Sequence, residues 1–437
     1  MTQRPERPVS PLPLSTQGPE TGSGFGPEVS VVVVSRGRPH ELTRCLAALR
    51  LQDHPRFELV VVADGDGREA FLRAGLAGQA KLVPFDEANV SAARNKGVAA
   101  AAGELVAFVD DDAVAEPTWL TRLVAAFDDP RVEAATGFVR GRNGISYQHM
   151  AGWVDATGRE RALEVEPEGI SLHQGNRGSA VKTEGTNMAF RRETLAALGG
   201  FDPAFRFYMD ETDLNMRMAV EELITAVVPA AEVQHGFAAS ARRGADRVPR
   251  DLFDIGASSA VFLRKHAPRV DPSGYLAALV RSEQRRLMRH MVAGGLEPRD
   301  IGRLLDGLEA GIDDGLAREI APLLPIGPPA APFLPLPGTG PRPARLLVGW
   351  LWQHRRLMRA ARAHARAGAI VTVLRLGPGL AYHRSRFTDA GCWVQAGGLW
   401  GRSERGQRLF TPWRMAGRLA FERARIAAVR PVDTLLS

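Results

Sequence analysis

The chain has 437 residues, 45% of them hydrophobic, enough for two or three domains with ordinary cores. Its two cysteines, Cys45 and Cys392, exclude a disulfide framework and a cysteine-built metal cluster and fit a reducing, cytosolic setting, and no apolar run reaches the roughly eighteen residues of a membrane span. A net charge of +7 conceals an asymmetry: residues 341–437 hold eighteen Arg, no Lys and four acids, a net +14, which leaves about −7 for the rest.

Residues 1–27, rich in Pro, Gly and Ser, lack the apolar centre of a signal peptide and read as a disordered lead. Residues 29–34 are a continuous apolar, β-branched run, hence a buried strand. Leu42, Leu46 and Leu49 recur at helical spacing over 39–51. Residues 58–62 form a second strand, closed by Ala63-Asp64-Gly65-Asp66-Gly67. A helix over 68–77, a short strand near Leu82, a helix over 91–102 and a strand over 104–109 follow. Strands alternating with helices predict an α/β fold around a doubly wound, mostly parallel sheet. Such sheets bind ligands beyond the carboxyl ends of their strands, where Ser35, Asp64 and Asp110 fall.

Farther on, residues 133–138 read as a strand, 141–177 as a long irregular or hairpin region, 212–220 as a helix, and 251–320 as a helical extension. Residues 321–343 are a proline-rich linker, extended and semi-rigid. Beyond them lies a small basic α/β appendage: strands over 345–350, 369–374 and 392–394, helices over 354–367 and 412–429, and a final strand being entered at 432–436. It reads as an incomplete βαβ unit. Its charge suggests an anionic partner such as a lipid surface or nucleic acid, although a general preference for Arg and Ala along the chain gives the same composition.

Chemistry concentrates at Asp110-Asp111-Asp112, three carboxylates at the end of an apolar strand. Asp110 and Asp112, two residues apart in extended chain, point the same way. Such a pair can hold a hard divalent cation, Mg²⁺ or Mn²⁺, completed by diphosphate oxygens. An acidic turn capping the helix after Pro117 has the same composition.

Several pieces stand in order over residues 29–265: VSVVVVSRGRPHELTRCLAAL, ELVVVADGDG, NVSAARNKGVAAAAGELVAFVDDDAVAEPTWL, EGTNMAFRRETLAALGGFDPAF, MDETDLNMRMA and VQHG. Together they resemble the family 2 glycosyltransferases, inverting enzymes of the GT-A fold that use nucleotide-activated sugars. The resemblance implies a catalytic domain over about 28–250, with 251–320, 321–343 and 344–437 as extension, linker and appendage. It puts Ser35, Asp64, Arg94, Asn95 and Asp110 on the nucleotide side, although Ala63 replaces the first acid of the pair usual at Asp64. Asp110-Asp111-Asp112 matches the family's DXD motif: Asp110 is expected on ribose or metal, Asp112 on metal, Asp111 behind them. His235 is the expected further metal ligand, and Arg242 and Arg243 follow on a loop able to close over the diphosphate. Glu211 is the expected base, with Asp210 second; the family usually carries Asp where Glu211 stands.

The implied partners are a nucleotide-sugar donor and a glycan or lipid-linked acceptor, in surface polysaccharide or glycolipid assembly. The setting expected is cytoplasmic, peripheral at the inner face of a membrane. Arg355, Arg356, Arg359, Arg362 and Arg366 on the basic helix are able to touch anionic lipid, and no nucleic acid is expected. Gln284-Arg285-Arg286 does not match the Gln-x-x-Arg-Trp motif of processive synthases, so transfer of one or few sugars is expected. The appendage weakly resembles the opening of a GT-B type domain. Two other readings stand beside this one. A sugar-nucleotide pyrophosphorylase shares the sheet topology, but Ser35-Arg36-Gly37-Arg38-Pro39 poorly matches its Gly-rich loop. A catalytically inactive binding scaffold draws on Ala63 and the Asp210-Glu211 order.

Overall fold

A computed structural model describes residues 26–436, so the predicted lead lies almost wholly outside the described residues. β1 (Val29–Ser35) and β2 (Phe57–Ala63) are apolar and buried on both faces, as central parallel strands must be. Helices α1 (Pro39–Leu49) and α2 (Gly65–Arg73) alternate with them and lead to β3 (Lys81–Pro84). Next come α3 (Val90–Ala100), β4 (Leu105–Phe108), the short β5 (Ala113–Ala115), α4 (Trp119–Val124) and β6 (Val132–Arg140). The predicted irregular region holds β7 (Tyr147–His149), β8 (Gly152–Asp155), β9 (Glu160–Ala162) and β10 (Ser171–Gln174). β11 (Ser179–Val181), β12 (Met188–Arg191), α5 (Arg192–Ala197), α6 (Asp210–Val220) and β13 (Ile224–His235) complete this part.

The main sheet runs β10-β13-β6-β12-β4-β1-β2-β3, with β5 on β13 and β7 on β6. β3, β2, β1 and β4 are parallel, β6 and β13 are parallel, and β12 lies antiparallel between β4 and β6. This is the mostly parallel α/β sheet that the strand–helix alternation predicts. β11, β8 and β9 form a separate antiparallel sheet. α2 starts at Gly65, three residues before its expected start, because the Asp64 carboxylate accepts the Gly67 N–H and caps it.

The helical extension is α7 (Phe253–His266), α8 (Pro272–Val292) and α9 (Pro298–Ala317). It is tied to α6: buried Asp213 accepts His266 Nε2 at 2.8 Å, Lys265 Nζ at 2.7 Å and Arg217 Nε at 2.9 Å. Val261 and Phe262 pack with Phe205, Met209 and Met216.

The proline-rich segment is extended, but it is a strap rather than a spacer. Ile326 N–H donates to the Ala196 carbonyl and Leu336 N–H to that of Phe57. Leu336 is buried in the same core as β1 and β2. Leu334 N–H reaches Glu58 Oε2 at 2.8 Å. That buried carboxylate also accepts Ser30 Oγ, Ala102 N–H and Lys81 Nζ. The prolines supply no N–H to leave unpaired, so the strap pairs with the main sheet only at an isolated antiparallel bridge, Pro335 opposite Glu58.

The appendage departs from a lone βαβ unit. β14 (Ala344–Trp350), β15 (Ile370–Gly377), β16 (Arg384–Thr388), β17 (Cys392–Gly398) and β18 (Thr434–Leu436) form one sheet ordered β16-β17-β15-β14-β18. α10 (His354–Arg366) and α11 (Met415–Ala427) cover it. The sheet docks on the domain of the main sheet through Ile370, Phe387 and Trp393 against Ala48 and Val114. Gly144 (φ +64°) lies so close that a Cβ there would meet the Ser385 carbonyl oxygen at 2.2 Å. Arg430 and Glu116, both buried, pair across the junction with Nη2–Oε1 at 3.1 Å. Arg430→Met would strand the Glu116 charge, and we expect a loss of about 3–5 kcal/mol in a denaturant titration. Adding Glu116→Gln should restore part of it; equal midpoints for all three proteins would refute a structural role for the pair.

Candidate active site

The sheet brings the predicted acids and the histidine together. Asp110 and Asp112 follow β4, and β13 returns antiparallel to β5 with His235 opposite Ala113. Ligand atoms of Asp110, Asp112 and His235 all lie within 4.8 Å of one another. His235 Nε2 stands 3.1 Å from Asp112 Oδ1, and its Nδ1 is 3.0 Å from Gln148 Oε1. With Nδ1–H donating to Gln148, Nε2 is the nitrogen left either to hold a cation or to carry a proton toward the carboxylate. Asp112 Oδ1 is buried and has no hydrogen-bond partner among the described residues. Two ligands at right angles on an ion with bonds of about 2.1 Å sit about 3 Å apart. These residues therefore fit a divalent cation. Burial opposes ionisation of Asp112, but His235, Arg38 and the Ala238 N–H outweigh it and hold the carboxylate well below its usual range.

Asp111 stands behind the pair. It accepts Ser35 Oγ at 2.7 Å and Arg38 Nη1 at 3.0 Å. Burial pushes it up to about 7 against the pull of Arg38. Ser35 is thus buried and turned onto Asp111. Asp64 lies at the end of β2, with its two oxygens accepting the N–H of Gly37 at 2.7 Å and of Gly67 at 2.9 Å. Asn95 is turned elsewhere: its amide donates to the Phe201 carbonyl at 2.6 Å and accepts the Phe201 N–H at 2.8 Å, locking α3 to the Gly199-Gly200 turn.

Arg94 is the hub of the second half of the site. Its buried guanidinium pairs with Asp210 and lies 3.4 Å from Asp110 Oδ1, while Thr186 Oγ1 donates to Asp110 Oδ2 at 2.7 Å. Gly185 makes room for this: a Cβ there would stand 2.4 Å from Arg94 Nη2. Asp210 is consumed by that ion pair. Glu211, one residue on, has no hydrogen bond or ion pair among the described residues. Burial, then the neighbouring Asp210 charge, pushes its pKa well up; Lys182 and Arg94 pull it partly back. The backbone entering α6 is strained, with Tyr208 at φ 73° and Met209 at φ 64°. Two consecutive left-handed non-glycine residues are costly and persist where the surrounding structure holds them.

Lys182 Nζ, 2.6 Å from Glu160 and 3.0 Å from Glu184, lies beside a cavity of about 210 Å³ that Gln148 and His149 also line. Arg243 reaches to 3.9 Å from Asp112 Oδ2, whereas Arg242 turns away to Asp254. Arg38, Gln148 and Lys182 lie at the candidate site without having been singled out in the sequence, whereas Thr186 stood in the EGTNMAF piece. Arg38 had a signal, its place just past the carboxyl end of β1. Gln148 had none, since a hairpin far along the chain carries it to His235.

Over 280 residues the chain is 29% identical to the O-antigen biosynthesis protein RfbC of Myxococcus xanthus, covering 60% of this chain and 21% of that one. Over 191 residues it is 31% identical to the glucosyl-dolichyl phosphate glucuronosyltransferase of Haloferax volcanii, covering 40% and 56%. The chain thus spans between a fifth and just over half the length of these relatives. A solved mannosyltransferase from Pyrobaculum calidifontis, in complex with GDP-Man and Mn²⁺, aligns with 68% of this chain and 89% of its own at 20% identity and a TM-score of 0.41. Residues 27–248, just over half of the sequence, match the family model described as Glycosyltransferase like family 2, and the chain belongs to that family.

Proposed function

We propose that the protein transfers a sugar from a nucleotide-sugar donor to a hydroxyl of a glycan or lipid-linked acceptor, with inversion at the anomeric carbon. The observation that carries this reading is the pairing of two half-sites. One is the unpartnered Asp112 Oδ1 facing His235 Nε2; the other is Glu211, left free while Asp210 is tied to Arg94. Asp110, Asp112 and His235 would hold Mg²⁺ or Mn²⁺. When bound, the ion supplies Lewis-acid stabilisation of the leaving diphosphate. Arg38 and Arg243, within 4 Å of Asp112, add positive charge where that diphosphate lies.

The nucleotide lies across the ends of β1, β2 and β4, at Ser35, Asp64 and Asp110, with Arg94 facing it. Asn95 serves that arrangement by fixing the turn at Phe201. Glu211 accepts the proton of the attacking hydroxyl, which requires it to be ionised. The cavity beside Lys182 is on the acceptor side. The relative named for O-antigen biosynthesis supports a place in surface polysaccharide or glycolipid assembly. No helix among the described residues is long and apolar enough to cross a membrane.

Calorimetric titration with UDP, GDP and dTDP, each with Mn²⁺ and with EDTA, tests the donor side. Metal-dependent binding of one nucleotide is expected. Folded protein that binds none of them in Mn²⁺ would remove these donors and the roles of Asp110 and Asp112 with them.

A further inference from the structure

Eight of the eighteen arginines in residues 341–437 share one face of the appendage. Along β14 and β15, Leu346, Val348 and Leu374 pack with Ile426 of α11, while Leu347, Val371 and Val373 pack with Leu357 and Ala361 of α10. The catalytic domain docks on the α11 side. α10 therefore covers the outer face. It contains no acid, and Arg355, Arg356, Arg359, Arg362 and Arg366 are all exposed. Strand alternation sends Arg375, Arg384 and Arg386 out of the same face. None of these eight arginines has a carboxylate partner among the described residues, and Arg375 Nε is buried without any partner.

Apolar side chains crowd the adjoining edge. β14, β15 and β17 are parallel, so the loops that leave their carboxyl ends share one edge of the sheet. Those loops expose Leu351, Trp352 (68% accessible), Leu380, Leu409 (73%) and Phe410. Trp352 stacks on Trp350 at 5.0 Å, a rigid pair at the start of α10. Leu380, Leu409, Arg402 and Arg405 line a groove of about 510 Å³ with Ser146 of the catalytic domain. Single exposed leucines need no explanation, but a cluster of this size beside unpaired charge marks a contact surface. Polyanions such as nucleic acid would satisfy the arginines and leave Leu351, Leu380 and Leu409 in water. A bilayer satisfies both: headgroup phosphates take the arginines, and Trp, Phe and Leu enter the headgroup–acyl boundary.

We propose that this face docks the protein on an anionic membrane, with the α10 arginines on the headgroups and Leu351, Trp352, Leu380, Leu409 and Phe410 inserted at the interface. The inference stands on the surface alone, independently of sugar transfer. Its corollary rests on the proposed reaction: Ser146 is two residues from Gln148, so docking brings the bilayer, and any lipid-linked acceptor in it, to the edge of the candidate site.

Flotation of the full chain with vesicles tests this, using phosphatidylcholine alone and phosphatidylcholine with phosphatidylglycerol. The protein should float with the anionic vesicles, and less so as salt rises. Arg355→Glu/Arg356→Glu/Arg359→Glu should weaken that partition by about a hundredfold or more, taking about 1 kcal/mol per charge removed. Trp352→Ser/Leu409→Ser should weaken it too, with an unchanged circular dichroism spectrum. The proposal is overturned if wild type stays with the soluble fraction, or if the triple variant floats as well as wild type. It is equally overturned if the apolar pair has no effect while double-stranded DNA competes the vesicles off, which would mark a nucleic-acid surface instead.

Discussion

Asp112→Ala is expected to lower transfer activity by about a thousandfold or more and to abolish the metal dependence of nucleotide binding. Among the described residues Asp112 is the one acid of the triplet that is both buried and has an oxygen without a hydrogen bond, and that oxygen lies 3.1 Å from the His235 Nε2. A cation there would be shared by both groups in place of the proton that otherwise joins them. Alanine would also release the Ala238 N–H, so Asp112→Asn is the better-shaped control. A readout besides activity is available. Mn²⁺ at about a hundred times its dissociation constant should stabilise wild type by about 2.7 kcal/mol, seen as a raised Tm, and leave Asp112→Asn unmoved. A Tm that rises equally in both proteins would place the ion elsewhere.

Glu211→Gln is expected to cost about a hundredfold to ten-thousandfold in kcat with little change in the donor KM. The same change should raise thermal stability near neutral pH. The sign follows from the upward shift of Glu211 in the folded protein. A carboxyl whose folded pKa exceeds its unfolded one binds more protons when folded, so stability falls as pH rises and the group ionises. Gln removes that penalty. Activity runs the opposite way: the base works only when ionised, so kcat should climb with pH through the raised Glu211 pKa, later than an ordinary carboxylate would allow. Lys182→Met, which removes a charge that favours the ionised form, should push the acid limb higher still. A variant that retains full activity, or loses both activity and stability, would falsify the role of Glu211 as base.

Some of this was legible before any coordinates. Continuous β-branched runs placed β1 and β2, and strand-end position singled out Ser35, Asp64 and Asp110. Direction was harder to read than position. Asp64 and Asn95 stand in the expected places, yet backbone N–H groups take the Asp64 oxygens and Phe201 takes the Asn95 amide. Sequence order says which residue follows a strand; it does not say which neighbour the chain later folds against it. Gln148 shows the same limit, being 87 residues from His235. β16 escaped notice because its alternation, Arg-Ser-Arg-Phe-Thr, puts few apolar residues on either face. Proline content reports extension and stiffness, whereas the anchoring of the segment rests on Ile326, Leu334 and Leu336, which composition does not single out.

That strap has a consequence for how the protein comes into being on the ribosome. Leu334 closes a contact with Glu58 across 276 residues of chain. Contacts of such separation form late and carry the largest loop-closure cost. Until residue 336 has been synthesised, the slot along β2 stays open, with a buried carboxylate short of a donor and an apolar gap beside Phe57. A nascent chain, or one cleaved near residue 320, would thus hold the main sheet with its Asp110, Asp112 and His235 cluster yet remain unsealed along one side. We expect such a fragment to be the one that proteases and chaperones recognise.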